Sequence, residues 1–230
     1  MNARLRMAAV VPALLLAACT VPRPAAQAPA DGIRAGGVVL TPAQLLSAVQ
    51  GDADRLDQSK DPAQRSQLLA AATMSAQQCL AQAPQNAACP YAQAQVLGLA
   101  AREHPLQAVS FLKDMLASLT RAEALDPALD HAGPARLSAI VLLRAPPWPL
   151  GPGDADAAVA AAQRAVQRDA AYPPNLITLG QAQAKSDGTA VARATFEKAR
   201  LAVRAWADGA DRAQWQQTVE QGLQGLQGLH

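Results

Sequence analysis

Apolar and polar residues alternate nowhere along this chain over more than a few positions, so its hydrophobic pattern favours helices over strands. Proline and capping residues mark where helices should begin, because proline is tolerated in the first helical turn, where its missing N–H has no partner to lose. Asp154 and Thr189 are the expected N-caps of two helices. Six further starts are Thr41-Pro42, Asp61-Pro62, Cys89-Pro90, His104-Pro105, Gly133-Pro134 and Pro173-Pro174.

The segments between these signals predict about nine helices. They cover residues 45–56, 63–83, 91–102, 106–125, 135–144, 155–168, 175–185, 190–206 and 211–223. Composition supports this prediction, because hydrophobic residues make up 50% of the chain but aromatic residues only 3%, and alanine supplies much of the difference. Alanine has the best helix propensity, whereas strands would need more β-branched and aromatic residues. We therefore expect an all-α fold.

Helices of this length joined by short links suggest helical hairpin repeats, and one repeat unit is clear. It begins at Pro173 and matches the 34-residue tetratricopeptide pattern at Leu176, Leu179, Gly180, Ala192, Phe196 and Ala199. Gln183 and Arg204 depart from that pattern, which has a large aromatic residue and a proline at their positions. Two weaker copies precede this unit. The sequence predicts tetratricopeptide-like repeats over residues 38–223, with a capping helix at 211–223 and a low-complexity tail at 224–230.

The first 18 residues have the order of a secretory signal peptide. Arg4 and Arg6 precede an apolar run over residues 7–18, which ends in the small residues Ala17 and Ala18. The run is about a dozen residues long, whereas a helix needs roughly 20 to span a bilayer. We therefore expect residues 1–18 to be removed.

The residues around this cleavage point resemble the lipobox of bacterial lipoproteins. Leu16, Ala17, Ala18 and Cys19 stand at its large apolar position, its two small positions and its lipid-acceptor position. The resemblance implies cleavage before Cys19, acylation of that residue and a lipid anchor in the bacterial cell envelope. Thr20 stands where an aspartate retains lipoproteins of enteric bacteria at the inner membrane, which favours the outer membrane. The alternative is an ordinary secretory signal that a cysteine follows by chance.

Residues 19–37 are rich in proline, alanine and polar residues without apolar periodicity, which is the composition of a flexible tether. The formal net charge of the chain is +2, but the signal segment carries two of the 20 basic residues and none of the 18 acidic ones. The mature chain therefore has no net charge. This balance argues against nucleic acid as a partner.

Two cysteines, Cys79 and Cys89, remain as an even pair in an oxidising compartment. Cys79 lies near the end of one predicted helix and Cys89 at the start of the next, so a turn between antiparallel helices would bring them together. We predict a disulfide between them. The alternative is metal ligation, but no histidine or second cysteine pair stands at ligand spacing.

No catalytic signature is recognisable, and we predict a protein that is not an enzyme and has no cofactor. His104 marks a helix boundary, His131 is expected at the surface, and His230 is terminal. Neither internal histidine has a Ser or Cys nucleophile in a known motif, and the acidic residues are expected singly on polar helix faces. An enzyme would need one of these histidines paired with a carboxylate in a pocket.

The stretch over residues 133–154 is the unusual one, because a helix with an arginine at each end runs into a proline-rich loop that holds a tryptophan. In one interpretation the tryptophan packs over the loop and the arginines face solvent. In the other, Arg136, Arg144 and Trp148 form a ligand or partner patch, since exposed Trp and Arg dominate binding hot spots. Ile177 and Gln181, on the first helix of the clear repeat, are further candidate binding residues.

From about residue 125 to residue 196 the chain resembles the lipoprotein T-component associated with tripartite ATP-independent periplasmic (TRAP) transporters. The matching residues are Gly133, Pro134, Arg136, Ala145, Pro146, Trp148, Pro149, Gly151 and Asp154. Pro147 and the insertion Gly151-Pro152-Gly153 depart from the loop of that family. The resemblance implies a four-pair helical-repeat body that contacts a substrate-binding protein and holds apolar ligands in an internal pore, as a trimer.

The leading hypothesis is a non-enzymatic outer-membrane lipoprotein that faces the periplasm. Its repeats would bind a protein partner, such as the substrate-binding protein of a TRAP-type transporter, or a small apolar ligand, and a homo-oligomer is compatible with this function. The runner-up is a tetratricopeptide scaffold for a secretion, pilus or cell-wall assembly. An enzyme is the third alternative.

Overall fold

The computed structural model describes residues 39–186, 188–207 and 209–227. The predicted signal segment, Cys19, the tether and His230 lie outside these ranges. Within them the fold is all-α, as predicted, and a 3₁₀ turn at Pro105–Gln107 precedes the fourth helix. The α-helices of the described residues are α1 (Pro42–Gln58), α2 (Pro62–Gln82), α3 (Ala88–Glu103), α4 (Ala108–Leu125), α5 (Leu129–Arg144), α6 (Ala155–Arg168), α7 (Pro173–Lys185), α8 (Thr189–Ala205) and α9 (Ala210–Gly225). No helix in the described ranges has the length and apolar character needed to cross a membrane.

Most of the predicted helix starts are confirmed, and the caps explain why the helices begin there. Thr41 forms a capping box with Gln44 at the start of α1. The Asp154 carboxylate accepts a hydrogen bond of 2.9 Å from an N–H in the first turn of α6. The prediction for Thr189 is wrong, because Gly188 is the cap residue of α8 and no side chain caps this end.

The helices pack as successive antiparallel pairs: α1 with α2, α3 with α4, α5 with α6, and α7 with α8. Helix α9 covers α7 and α8. Neighbouring pairs stack through their first helices, α1 against α3 and α5 against α7, as expected of helical repeats. The middle of the stack differs, because α5 contacts α3 only near its start, where Asp130 is hydrogen-bonded to Tyr91.

The clear repeat unit forms the core shared by α7, α8 and α9. Phe196 is only 1% exposed there and packs among buried aliphatic side chains, including Leu176 and Ala199. A Cβ atom at Gly180 would lie 3.0 Å from the Phe196 ring. Glycine at this position therefore lets α7 and α8 approach closely, as the repeat pattern requires.

The C-terminal helix is longer than the sequence predicts. Helix α9 runs to Gly225, and Leu226 after it is 2% exposed in the core of α7, α8 and α9. The predicted tail from residue 224 is therefore wrong in its first three residues. The glycine-rich composition conceals a buried stripe of Val219, Leu223 and Leu226 at helical spacing.

The predicted pair Cys79 and Cys89 is joined, with its Sγ atoms 2.06 Å apart. Cys79 lies near the end of α2 and Cys89 in the first turn of α3, and both are fully buried. Leu45 of α1 packs in the same cluster. The disulfide therefore lies among the first three helices.

Candidate functional site

An apolar groove lies where α3 and α5 separate, and we call it the α3–α5 groove. One part has a volume of about 330 Å³ and apolar walls from three helices, formed by Ala101, Ala108, Leu112, Met115, Ile140 and Val141. The adjoining part has a volume of about 360 Å³ and reaches Tyr91, Asp130 and Arg136. Gly98, Arg102 and Met115 line both parts, so the two parts adjoin.

Gly98 keeps the groove open on the side of α3. A Cβ atom there would lie 3.2 Å from the Sδ atom of Met115, so a side chain would press on the floor of the groove. The thioether of methionine is flexible and polarizable. Such a floor can adapt to apolar ligands of different shapes.

A second cavity, of about 430 Å³, opens between α6, α7 and α8. Leu179, Lys198 and Leu201 line it, together with other side chains of these helices. None of the candidate residues predicted from the sequence lies among its lining residues. The α3–α5 groove is the stronger candidate, because apolar walls, a cation and a buried polar network meet there.

The polar end of the groove is a hydrogen-bonded cluster that joins α3 to α5. The Tyr91 hydroxyl donates to the Asp130 carboxylate at 2.5 Å, and the Arg136 guanidinium donates to the same oxygen at 3.2 Å. Burial and the charge of Asp130 raise the pKa of Tyr91, so the phenol keeps its proton. Asp130 therefore does not lie singly on a polar helix face, contrary to the prediction for the acidic residues.

The start of α5 has an unusual backbone, because Asp130, His131 and Ala132 are left-handed, with φ of 51°, 54° and 62°. The carbonyls of Asp130 and His131 are held by two side chains. Arg136 donates to the carbonyls of Asp130 and His131, at 3.2 and 3.0 Å. Asn175 of α7 donates to the His131 carbonyl at 3.0 Å, and its side-chain oxygen accepts from Arg136 at 3.1 Å.

Of three further candidate binding residues, one lines the groove and two lie away from it. Arg136 is 8% exposed and holds the turn before it, so it does not face solvent, but it lines the polar part of the α3–α5 groove. Ile177 is buried in the core of α7, α8 and α9. Gln181 is half-buried on α7 and does not line the α3–α5 groove. The periodicity of α7 could not separate groove-facing residues from core residues.

Arg144 and Trp148 are both exposed, as a binding patch requires. Arg144 is the last residue of α5, lines the apolar part of the groove and has no ion pair with any described residue. Trp148 is 86% exposed, so the interpretation in which it packs over the loop is wrong. Leu150 is 72% exposed beside it, and the Trp148–Pro149 peptide bond is cis.

The backbone of the loop over residues 145–153 is tied to α5. The Gly153 N–H donates to the Pro146 carbonyl at 2.8 Å, and the Asp154 N–H donates to the Leu142 carbonyl at 2.9 Å. A Cβ atom at Gly153 would lie 2.1 Å from the carbonyl oxygen of Ala145, so only glycine fits there. The loop therefore presents its exposed side chains from a fixed backbone.

A histidine–carboxylate pair lies outside the groove. The His131 Nδ1 atom is 2.7 Å from an Asp169 carboxylate oxygen, and its ring stacks on Tyr172 with centroids 4.3 Å apart. Burial would raise the pKa of Asp169, but hydrogen bonds from His131 and from two backbone N–H groups outweigh it and lower that pKa. Trp206 and Trp215 pack edge-on against Tyr172, which makes this an aromatic surface cluster.

In the part of the chain that the structure describes, no group of three or more His, Cys, Asp or Glu side chains could hold a metal ion. A scan against protein-family models gave no match, and a search of curated proteins gave none either. The α3–α5 groove and the loop beside it are therefore the features from which a function is proposed.

Proposed function

We propose that this chain is a non-enzymatic lipoprotein of the bacterial outer membrane, anchored through Cys19 and facing the periplasm. Its helical body binds a small apolar ligand in the α3–α5 groove and contacts a periplasmic partner, the substrate-binding protein of a TRAP-type transporter. The observation that carries the proposal is the groove, because α1 packs against α3 and α5 against α7, whereas among the described helices α3 and α5 have no comparable contact.

The chemistry of the groove supports an apolar ligand. Its walls are almost entirely aliphatic, and sites for small molecules are typically concave and mostly apolar with a few polar groups that fix orientation. Tyr91 and Arg136 already donate to Asp130, so the polar end is satisfied without a ligand. The ligand would therefore gain its affinity from the apolar part.

The histidine pair does not favour an enzyme. His131 is stacked on Tyr172 and pairs with Asp169 at the surface, and neither residue of the pair lines the groove. An acid–base catalyst needs a bound substrate within hydrogen-bond reach. The pair instead ties the start of α5 to the turn before α7.

The test is to purify the mature chain from membranes and analyse what accompanies it. Mass spectrometry of an organic extract should find an apolar small molecule, and affinity capture should recover a periplasmic substrate-binding protein. Ala108→Trp fills the groove from a half-buried wall position of α4 and should lose the small molecule. Ala117→Trp, on an exposed position of the same helix, is the matched control and should retain it.

Two results would contradict the proposal. Ligand-free chain together with capture of no binding protein would exclude the transporter function and leave the scaffold for an envelope assembly. A peptide mass showing an unmodified Cys19 in the membrane-extracted chain would exclude the lipid anchor.

A further inference from the structure

Three large apolar side chains are exposed to solvent, one in a 3₁₀ turn and two in a neighbouring loop. Leu106 is fully exposed in the 3₁₀ turn before α4, and Trp148 and Leu150 are exposed in the loop after α5. Large apolar side chains of this exposure are unusual in groups on a folded domain. We call these three residues the apolar tips.

The apolar tips lie at the same end of the helix pairs. Helix α5 follows α4 after a link of three residues and packs back along it, so the start of α4 and the end of α5 are neighbours. Ala108, two residues after Leu106, and Pro146, two residues before Trp148, line the same part of the α3–α5 groove. The tips therefore flank one end of the groove.

One arginine lies at the base of the loop that carries two of the tips. The loop over residues 145–153 contains no charged residue, and Arg144 at its base has no ion pair with any described residue. Of the nearby acidic residues, Glu103 is paired with Arg65, Asp154 caps α6, and Asp156 is exposed in the first turn of α6. Apolar tips beside an exposed arginine match a lipid interface, where the guanidinium can contact headgroup phosphates.

We propose that this end of the helical body docks on a lipid membrane, with Trp148, Leu150 and Leu106 inserted at the interface. Tryptophan favours this position, because its ring is apolar and its N–H can remain hydrated. A protein partner would need a pocket for each of three separate tips, whereas a fluid lipid surface accommodates them without one. The fixed loop backbone keeps the tips from folding back.

The magnitude of the effect explains why docking needs a tether. Burial of one leucine-sized side chain shifts a partition constant by about tenfold, so three tips hold an untethered protein only weakly. A tether of short length raises the local concentration to the millimolar range, at which weak contacts become occupied. This step rests on the anchor in the proposed function. Docking would place the Arg144 end of the groove at the lipid surface, so that an apolar ligand could pass between bilayer and groove without crossing water.

The test separates docking from acylation. A chain that begins at residue 19 with Cys19→Ser and an N-terminal hexahistidine is tethered to vesicles of phosphatidylethanolamine, phosphatidylglycerol and a nickel-chelating lipid. Brominated acyl chains in the vesicles quench a tryptophan that inserts among them. We expect quenching of the starting chain, its loss in Trp148→Phe and its retention in Trp206→Phe, which changes a tryptophan of the aromatic surface cluster.

The tips should act together in the same assay. Leu106→Gln and Leu150→Gln should each lower the equilibrium constant for insertion by about tenfold, whereas Leu201→Gln, an exposed leucine of α8, should leave it unchanged. Quenching that is equal in the starting chain and Trp148→Phe would overturn the proposal. The proposal would also be overturned if Trp148 fluorescence did not change with vesicles and changed only with periplasmic protein. The tips would then be a contact for a protein. If Cys19 proved to be unacylated in cells, the lipid anchor of the proposed function would be contradicted. The vesicle assay would not be affected, because its tether is the hexahistidine.

Discussion

At the scale of single residues, the most constrained part of the molecule is the left-handed turn at Asp130, His131 and Ala132. A non-glycine residue in this conformation costs roughly 1–2 kcal/mol. Arg136 and Asn175 offset that cost by binding the carbonyls of the turn from within the fold. The buried arginine is therefore a structural residue, and its position was not predictable from its place at the start of an apolar helix.

Sequence spacing could not reveal this cluster, because its members come from three different helix pairs. Tyr91 meets Asp130 across a separation of 39 residues, and Arg136 meets Asn175 across another 39. Such contacts exist only once the pairs have stacked. The sequence did identify the stretch as unusual, through Gly133-Pro134 and the arginine that follows.

Glycine at Ala132 tests the left-handed turn. Ala132→Gly should relieve about 1 kcal/mol of backbone strain and lose about as much from a buried methyl group, so the free energy of unfolding should barely change. Ala135→Gly is the control, because Ala135 is equally buried but has ordinary helical backbone, and it should cost about 2 kcal/mol. Denaturant unfolding measures the free energy of unfolding of both variants. Equal losses of stability would contradict a left-handed backbone at Ala132.

A methyl group at Gly133 tests the contact between α3 and α5. Its Cβ atom would lie 2.2 Å from the Tyr91 hydroxyl oxygen, so Gly133→Ala must displace Tyr91 from Asp130 and should cost about 1–3 kcal/mol. Gly51→Ala in α1 meets nothing within 4 Å and should stabilise the chain by about 0.5–1 kcal/mol. Thermal melts that move in the same direction for both variants would refute this packing.

At the scale of elements, local signals specified the helices well. Prolines and capping residues mark the starts of α1, α2, α6 and α7, and alanine-rich segments fill the interiors. The errors lie where a signal depends on tertiary contact. Thr189 is a residue type that favours N-caps, but Gly188 is the cap residue of α8. Near the end of α9, the glycine-rich composition predicts a tail, although Leu226 is buried in the core.

The end of α9 gives a prediction at this scale. Leu226→Ala removes a fully packed side chain next to Val219 and Leu223 and should lower the free energy of unfolding by about 2 kcal/mol. Leu201→Ala, at a mostly exposed position, should change it by less than about 0.5 kcal/mol. Denaturant titration compares them, and an unaffected Leu226→Ala would mean that the tail begins earlier, as the sequence alone predicts.

The disulfide between α2 and α3 gives a second prediction at this scale. A crosslink that closes so short a loop contributes about 3 kcal/mol in the chain-entropy model. A reducing agent should therefore lower the unfolding free energy of the native chain by about that amount. The double variant Cys79→Ala, Cys89→Ala serves as the control, since its stability should not respond to the reducing agent. If the reducing agent left the unfolding free energy of the native chain unchanged, that result would contradict a disulfide between Cys79 and Cys89.

At the scale of the whole molecule, the described helices form two main cores, and the α3–α5 groove lies beside the first of them. One core is built mainly by α1 to α4 and another by α7 to α9, while α5 and α6 lie between them. The fold class and the helix pairs were predictable from composition, prolines and the repeat. The groove was not, because it depends on α5 packing along α4 and leaving α3.

The most direct test of function is the binding of a neutral apolar fluorophore, N-phenyl-1-naphthylamine, to the mature chain. The groove should take up the probe with a blue-shifted, saturable signal at one site per chain. Ala108→Trp should abolish that signal, and Ala117→Trp should preserve it. Saturable binding that survives in Ala108→Trp, or no saturable binding by the unaltered chain, would contradict a ligand-binding groove between α3 and α5.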